Sequence, residues 1–293
     1  MTTPAIFAFS STMWIKRTSD TFRSAIRNLG RRAESGDLRQ WSYRIAYAAM
    51  NDADLMIEVA RYLRTIGAEA QLFLDSRSDP AQAALLQAKG VAFEYVDNEH
   101  GFVEGVYGKI AARTDEEWLL ILTSDEIPTR ATLAATERLT RSVPQHINSI
   151  GFPRRWVLRS ETGRFFTSRA AFIGDDPQWR VIRHRNVEFH PVVHTPGYQF
   201  DEQRSCLLEP EAAVYHLDWV VHSRELRERK LRYYDRMIPG AAEGFKKWYL
   251  PEDYPDDHAM EPLTDPGVLD FAERSARLRT SQGWSDRLSN ESD

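Results

Sequence analysis

The chain has 293 residues, a formal net charge of −5, 42% hydrophobic residues and 28% charged residues. That is the composition of a soluble globular protein with a substantial core, in one large domain or two small ones. Its one cysteine, Cys206, excludes an intramolecular disulfide and a cysteine-rich zinc site, and no run reaches the ~18 apolar residues of a membrane span. A cytoplasmic location is expected, because "AIFAF" near the start is too short for a signal-peptide core.

Charge is spread unevenly. Residues 1–44 hold eight Lys/Arg and three acids, whereas residues 251–293 hold eleven acids and four arginines. Ser19 can cap a helix running to about Arg32, with Phe22, Ile26 and Leu29 on one stripe. Its basic face is a solvated surface or, through residues 16–32, a peripheral contact with an anionic membrane; nucleic acid is not an expected partner.

From Tyr43 strands and helices alternate. "YRIAYAAM" predicts a strand, and "DADLMIEVARYLRTIG" a helix with Leu55, Val59, Leu63 and Ile66 on one face and Gly67 at its end. "AQLFLD" is a second strand; "DPAQAALLQAKG" is a short helix with Pro80 in its first turn and Gly90 after it. "VAFEYV" predicts a third strand, "GFVEGVYGKIAAR" a helix, and "EEWLLIL" a fourth strand, continuous in apolar residues as a doubly covered strand must be. Repeated βα units predict a sheet that binds ligands beyond the carboxyl ends of its strands. Asn51–Asp52, Asp75 and Asp125–Glu126 all fall at such ends.

The second half has a different pattern. "GFPRRWVLRSETGRFFTS" predicts two strands around the turn "ETG"; "QWRVIRHRNVEFHPVVHTPGYQF" has the β-branched content of a strand region; "EAAVYHLDW" is a short strand. "HSRELRERKLRYYDRM" is a charged helix ending near Pro239–Gly240, and the Pro- and Asp-rich text after Leu250 reads as an extended arm. The domain expectation is a basic helical extension over 1–42, an α/β domain over 43–240 and an acidic arm over 241–293.

Adjacent acids after a buried strand can hold a divalent cation, and a cation neutralises the charge that accumulates on a diphosphate leaving group. In "WLLILTSDE", in the Asn51–Asp52 pair and in "DSRSDP" from Asp75 to Pro80, the chain resembles the family 2 glycosyltransferases, inverting sugar transferases of the GT-A fold. "GFPRRW", "WRVIRHRNVEFHPVVH" and "VYHLDWVVHSRELRERKLRYYD" resemble that family's acceptor-side strands, closing His-containing strand and Lys-bearing helix. The resemblance runs from Tyr43 to Pro239, and order and spacing carry it. It implies a Rossmann-type mixed sheet flanked by helices, with an acceptor-side β region and a C-terminal arm.

It also implies a nucleotide-sugar donor on Asn51, Asp52, Asp75, Ser78, Asp79 and Asp125, and Mn2+ or Mg2+ on Asp125 with His216 and Glu126 as further ligands. Thr123 stands where the family has the first metal-motif aspartate, which implies a weaker cation site, and Thr195 stands where it often has a glutamate base after the histidine. Glu188, His190 and His194 share one face of an expected strand, and each is a candidate base for an acceptor hydroxyl on a glycan, protein or lipid. Taken without the resemblance, each residue has a plainer reading. Asp75 is a turn acid, His216 a core histidine, Arg155, Arg180 and Arg183 are exposed sheet arginines, and Trp156, Trp179 and Trp219 are core. Two functions follow: a glycosyltransferase, or a non-catalytic nucleotide-sugar or glycan-binding module on the same fold.

Overall fold

Every residue of the strand Trp118–Leu122 is buried, and its side chains alternate between two apolar clusters. In the computed structural model, Trp118, Leu120 and Leu122 pack on one face of the sheet, and Leu119 and Ile121 on the other. A strand covered on both faces needs a continuous apolar sequence, which "WLLIL" supplies. The structure describes residues 41–168, 177–193, 195–254 and 259–281. They belong to one compact unit, Arg39–Asp293; the other unit, Met1–Leu38, with the expected helix and membrane contact over 16–32, lies outside the described residues.

Strand β1 is Tyr43–Ala49, β2 Gln71–Asp75, β3 Glu94–Val96 and β4 Trp118–Thr123. β1 pairs in parallel with β2 on one side and β4 on the other, and β3 adds in parallel to β2. Helices α1 (Ala53–Thr65), α2 (Pro80–Ala88) and α3 (Tyr107–Ala111) connect them. Gly67, at φ +74°, ends α1, and Ala68 N donates to Leu63 O at 2.9 Å. Asp79 caps α2 by accepting from Ala81 N at 2.8 Å, ahead of Pro80.

Beyond β4 come β5 (Glu126–Pro128), α4 (Arg130–Ser142), β6 (Ser149–Arg159), β7 (Phe165–Ser168), β8 (Pro177–Ile182), β9 (Ser205–Leu207) and β10 (Val214–His216). β8 pairs antiparallel with β4 and β6; β10 pairs in parallel with β6 and antiparallel with β5. The chain then forms α5 (Asp218–Val221), α6 (Arg224–Met237), α7 (Ala241–Tyr249), β11 (Met260–Pro262) and α8 (Pro266–Ser281). The result is a mixed α/β structure with a central, mostly parallel sheet flanked by helices. Among the described residues no helix is long and apolar enough to cross a membrane.

Three expectations need correction. The segment 101–113 is a 3-10 turn (Val103–Val106) followed by α3, because Asn98 closes the chain there. Its Oδ1 accepts from Gly101 N at 3.1 Å, and a Cβ at Gly105 would come within 2.7 Å of the same oxygen. The strand expected across 178–200 stops at Ile182; a 3-10 turn follows at His184–Asn186, and only the Phe189–Tyr198 bridge pairs beyond it. The turn takes the chain out of the ladder before Glu188 and His190 are reached, so neither sits on a strand, and Pro191 and Pro196 have no N–H to rebuild one. His194 lies outside the described residues.

The acidic C-terminal segment is more than an arm. β11 pairs antiparallel with β7, and α8 buries Val268, Phe271, Ala272, Ser275 and Ala276 at helical spacing. Phe271 meets Tyr62 of α1 edge-on at 5.6 Å, and Arg274 Nε donates to Glu58 Oε2 at 2.7 Å. Phe271→Ala is therefore expected to lower unfolding free energy by about 3–5 kcal/mol in denaturant titration; a loss under ~1 kcal/mol would show that α8 is not part of the cooperative core.

Candidate functional site

The order β3-β2-β1-β4 means that the chain leaves β1 toward one side of the sheet and returns on the other. The carboxyl ends of β1 and β4 are therefore the switch point of the sheet, the place where open α/β sheets bind ligands. Asp52 follows β1 and Ser124 follows β4, and Ser124 Oγ donates to Asp52 Oδ2 at 2.9 Å. The end of β1 is also tied to the end of β2. Asn51, in the left-handed region at φ 59°, accepts on Oδ1 from Asp79 N at 2.9 Å, and its own N donates to Ser78 Oγ at 3.3 Å. Asn51, Ser78 and Asp79 thus brace the two loops against each other.

Asp125 is the centre of a charged cluster. Its Oδ1 accepts from Thr123 Oγ1 at 2.6 Å, its Oδ2 lies 3.1 Å from His216 Nε2, and its carbonyl accepts from Leu217 N at 2.7 Å. The threonine at 123 thus gives Asp125 a hydrogen bond where a second acid would repel it. β10 delivers His216, and the chain turns at once into α5, whose first residue is Asp218. Asp218 Oδ1 lies 2.7 Å from His222 Nδ1, one turn along α5, and 2.6 Å from Lys230 Nζ on α6. His222 Nδ1 is also 3.9 Å from Asp125 Oδ2.

Burial raises the energy of both carboxylates in charged form, but the surrounding cations outweigh it. His216, Lys230 and His222 hold Asp125 well below the usual carboxylate range, and Lys230, His222 and His216 hold Asp218 low. Asp52, by contrast, is pushed up to about 6, chiefly by burial and then by Asp54 and Asp125, against His222 and the Ser124 hydrogen bond.

Asp125, His216 and Asp218 each offer a ligand atom, and these atoms lie within 4.8 Å of one another. Asp218 Oδ2 and His216 Nδ1 are buried without a hydrogen-bond partner. An orphaned carboxylate oxygen beside a second carboxylate and an imidazole is a donor set that fits a divalent cation. Glu126 is not in this group. It is fully buried and turned the other way, accepting from Arg180 Nη1 in a short hydrogen bond and from Thr123 N at 3.1 Å, with Arg154 at 3.7 Å.

A tryptophan wall flanks the cluster. The Trp156 ring lies 4.3 Å from that of His216 and stacks on Trp219 at 4.8 Å and on Trp248 at 5.7 Å. Asp75 sits at the end of β2, but Arg77 covers it, donating from Nε to Oδ1 at 3.1 Å and from Nη2 to Oδ2 at 2.9 Å. Glu188 and His190 lie 3.9 Å apart with side chains 73% and 49% exposed, so they face solvent. The arginines expected on the surface are enclosed: Arg180 by Glu126, Arg183 by the Trp118 ring at 4.6 Å, and Arg155 by Ser168 O at 2.9 Å and Glu261.

The sequence reading brings Asp52, Asp125 and His216 together and misses Asp218, His222 and Lys230. The missed signal is in "HLDWVVHSRELRERK": Asp218 and His222 are one helical turn apart, and Lys230 is on the next helix.

No protein-family model and no curated protein matches the chain. Among solved structures it is similar to glucosyl-3-phosphoglycerate synthase from Mycobacterium tuberculosis in complex with Mn2+, uridine-diphosphate and glucosyl-3-phosphoglycerate, at 15% identity and a TM-score of 0.32, over 39% of this chain and 44% of that one. The same synthase in complex with Mg2+ and uridine-diphosphate is similar at 12% identity and a TM-score of 0.32, over 48% and 50%. A further mycobacterial protein is similar at 14% identity and a TM-score of 0.31, over 40% and 41%. The chain thus spans half or less of the length of these relatives.

The Asp52 shift has a stability consequence. A carboxyl whose folded pKa is raised favours the native state at low pH, and that contribution is lost as pH rises from 3.8 through about 6. For this half-buried group the loss is on the order of 1–2 kcal/mol. With chelator present, Asp52→Asn is expected to be more stable than the wild type near neutrality, with the difference vanishing by about pH 4. A pH-independent difference in chemical denaturation would contradict this assignment.

Proposed function

We propose that the chain transfers a sugar from a nucleotide-diphosphate sugar to an acceptor hydroxyl with inversion, as the resemblance to the family 2 glycosyltransferases implies. The observation that carries the reading is the Asp125–His216–Asp218 group at the switch point between the ends of β1 and β4. A divalent cation held there would neutralise the diphosphate as it leaves the sugar. Asp125 is preset for this work by Thr123 and His216, so little reorganisation is needed. The stacked Trp156, Trp219 and Trp248 give the cluster an apolar flank, which strengthens its charge interactions.

The nucleoside belongs at the β1–β2 edge, near Asp52 and Asp75. There the Arg77 guanidinium must either join the donor contacts or leave Asp75. The attacking hydroxyl approaches the anomeric carbon from the side opposite the diphosphate. Its oxygen forms the new bond, the bond to the diphosphate breaks, and the hydroxyl proton passes to a base, for which Glu188, His190 and His194 are the candidates.

Calorimetry with a panel of nucleotide-diphosphate sugars and Mn2+ tests the reading. The wild type is expected to bind at least one donor, and Asp125→Asn to bind it at least about tenfold more weakly at an unchanged fold. Equal donor affinity in the mutant would overturn the assignment of Asp125. Donor binding with neither hydrolysis nor transfer would select the non-catalytic module.

A further inference from the structure

Lys230 stands inside the group that fits a cation. Its Nζ lies 2.6 Å from Asp218 Oδ1 and 3.1 Å from His222 Nδ1, and it feels the charge of Asp125. Burial disfavours its ammonium, but Asp218 and then Asp125 outweigh that and raise its pKa. Two buried carboxylates so close would repel each other if nothing positive stood between them. The chain therefore carries its own cation in the cluster, on the same carboxylate that a metal ion would use.

We propose that Lys230 is a resident counter-ion that competes with the divalent cation for Asp218 and is displaced from it when the cation binds. The inference rests on the cation role of the cluster in the function proposed above. The side chain is 28% exposed, so the stem that carries the ammonium is not enclosed on all sides. Asp218 Oδ2 is left without a hydrogen-bond partner while Oδ1 is shared by Lys230 and His222. One carboxylate thus has one oxygen neutralised and one oxygen ready. Competition for it sets the affinity for metal below that of the bare Asp–His–Asp group, and keeps the carboxylates paired when no metal is bound.

A double-mutant cycle on the full chain with Mn2+ alone, at one fixed pH, tests this. Lys230→Met is expected to bind Mn2+ about tenfold or more tightly than the wild type, and Lys230→Arg about as the wild type does. In the Asp218→Asn background the gain from Lys230→Met should disappear, because the contested carboxylate has lost its charge. A gain of equal size in both backgrounds would mean that Lys230 acts only through the general field, and would overturn the proposal. Equal Mn2+ affinity in wild type and Lys230→Met would overturn it while leaving the cation site intact. No Mn2+ binding by either would overturn both it and the cation role. A readout on the wild type serves if the variants fail to fold: reductive methylation of Lys230, followed by peptide mass spectrometry, should rise when Mn2+ is added. Unchanged labelling at saturating Mn2+ would contradict displacement.

Discussion

The contact between Asp125 and His216, 3.1 Å long, joins the end of a fully buried strand to a short strand 91 residues further on. A carboxylate at that depth is stable only while its partners are present; removing one partner of such a pair typically costs about 3–5 kcal/mol, because the other charge stays buried. The demand propagates. His216 must be brought in by β10, which is itself held between β5 and β6, and it is backed by the Trp156 ring. Asp218 and His222 follow on α5, and Lys230 completes the charge balance from α6. The second half of the chain is thereby fixed to the first at the switch point of the sheet.

Adjacent acids at the end of β4 serve opposite sides. Ser124 and Asp125 form the turn between β4 and β5, and Glu126 opens β5, so the two acids leave the chain from different local backbone. Asp125 goes to His216, while Glu126 goes inward to Arg180 and Arg154. Glu126 also holds the turn itself, through Thr123 N on its carboxylate and Tyr47 Oη on its carbonyl. One acid is left to the His216 cluster while the other anchors the turn. Asp52, whose pKa burial raises to about 6, accepts from Ser124 Oγ and so ties the end of β1 to the end of β4.

How much of this was legible in the sequence depended on the kind of signal. Long apolar runs and capped helices were readable: β1, α1, β2, α2 and β4 lie where periodicity, Pro80, Gly67 and Gly90 put them. Helix α4 was not, because half of its buried face is threonine; Thr132, Thr136 and Thr140 return their hydroxyls to the chain, and only Leu133, Ala135 and Leu139 mark the face as apolar. Helix α8 was masked by the acidic, proline-rich composition around it, although Val268, Phe271 and Ala272 carry helical spacing. At the site, residues next to a strand end were found and those brought in by tertiary turns were not. Asp125 and His216 lie on or beside strands, whereas the pairing of Asp218 with Lys230 depends on how α5 and α6 cross. The face shared by Glu188 and His190 failed for a local reason, the 3-10 turn at His184–Asn186 that ends the strand before them.

The central claim is that a divalent cation sits on Asp125, His216 and Asp218 and there meets the diphosphate of a nucleotide. Pulsed electron paramagnetic resonance of Mn2+ added to the purified chain addresses it directly. The account predicts a nitrogen coupling from an imidazole, lost in His216→Gln, and a phosphorus coupling to the same ion once the nucleoside diphosphate of a donor that binds is added. Manganese bound with neither coupling, or with a nitrogen coupling that survives His216→Gln, would contradict it.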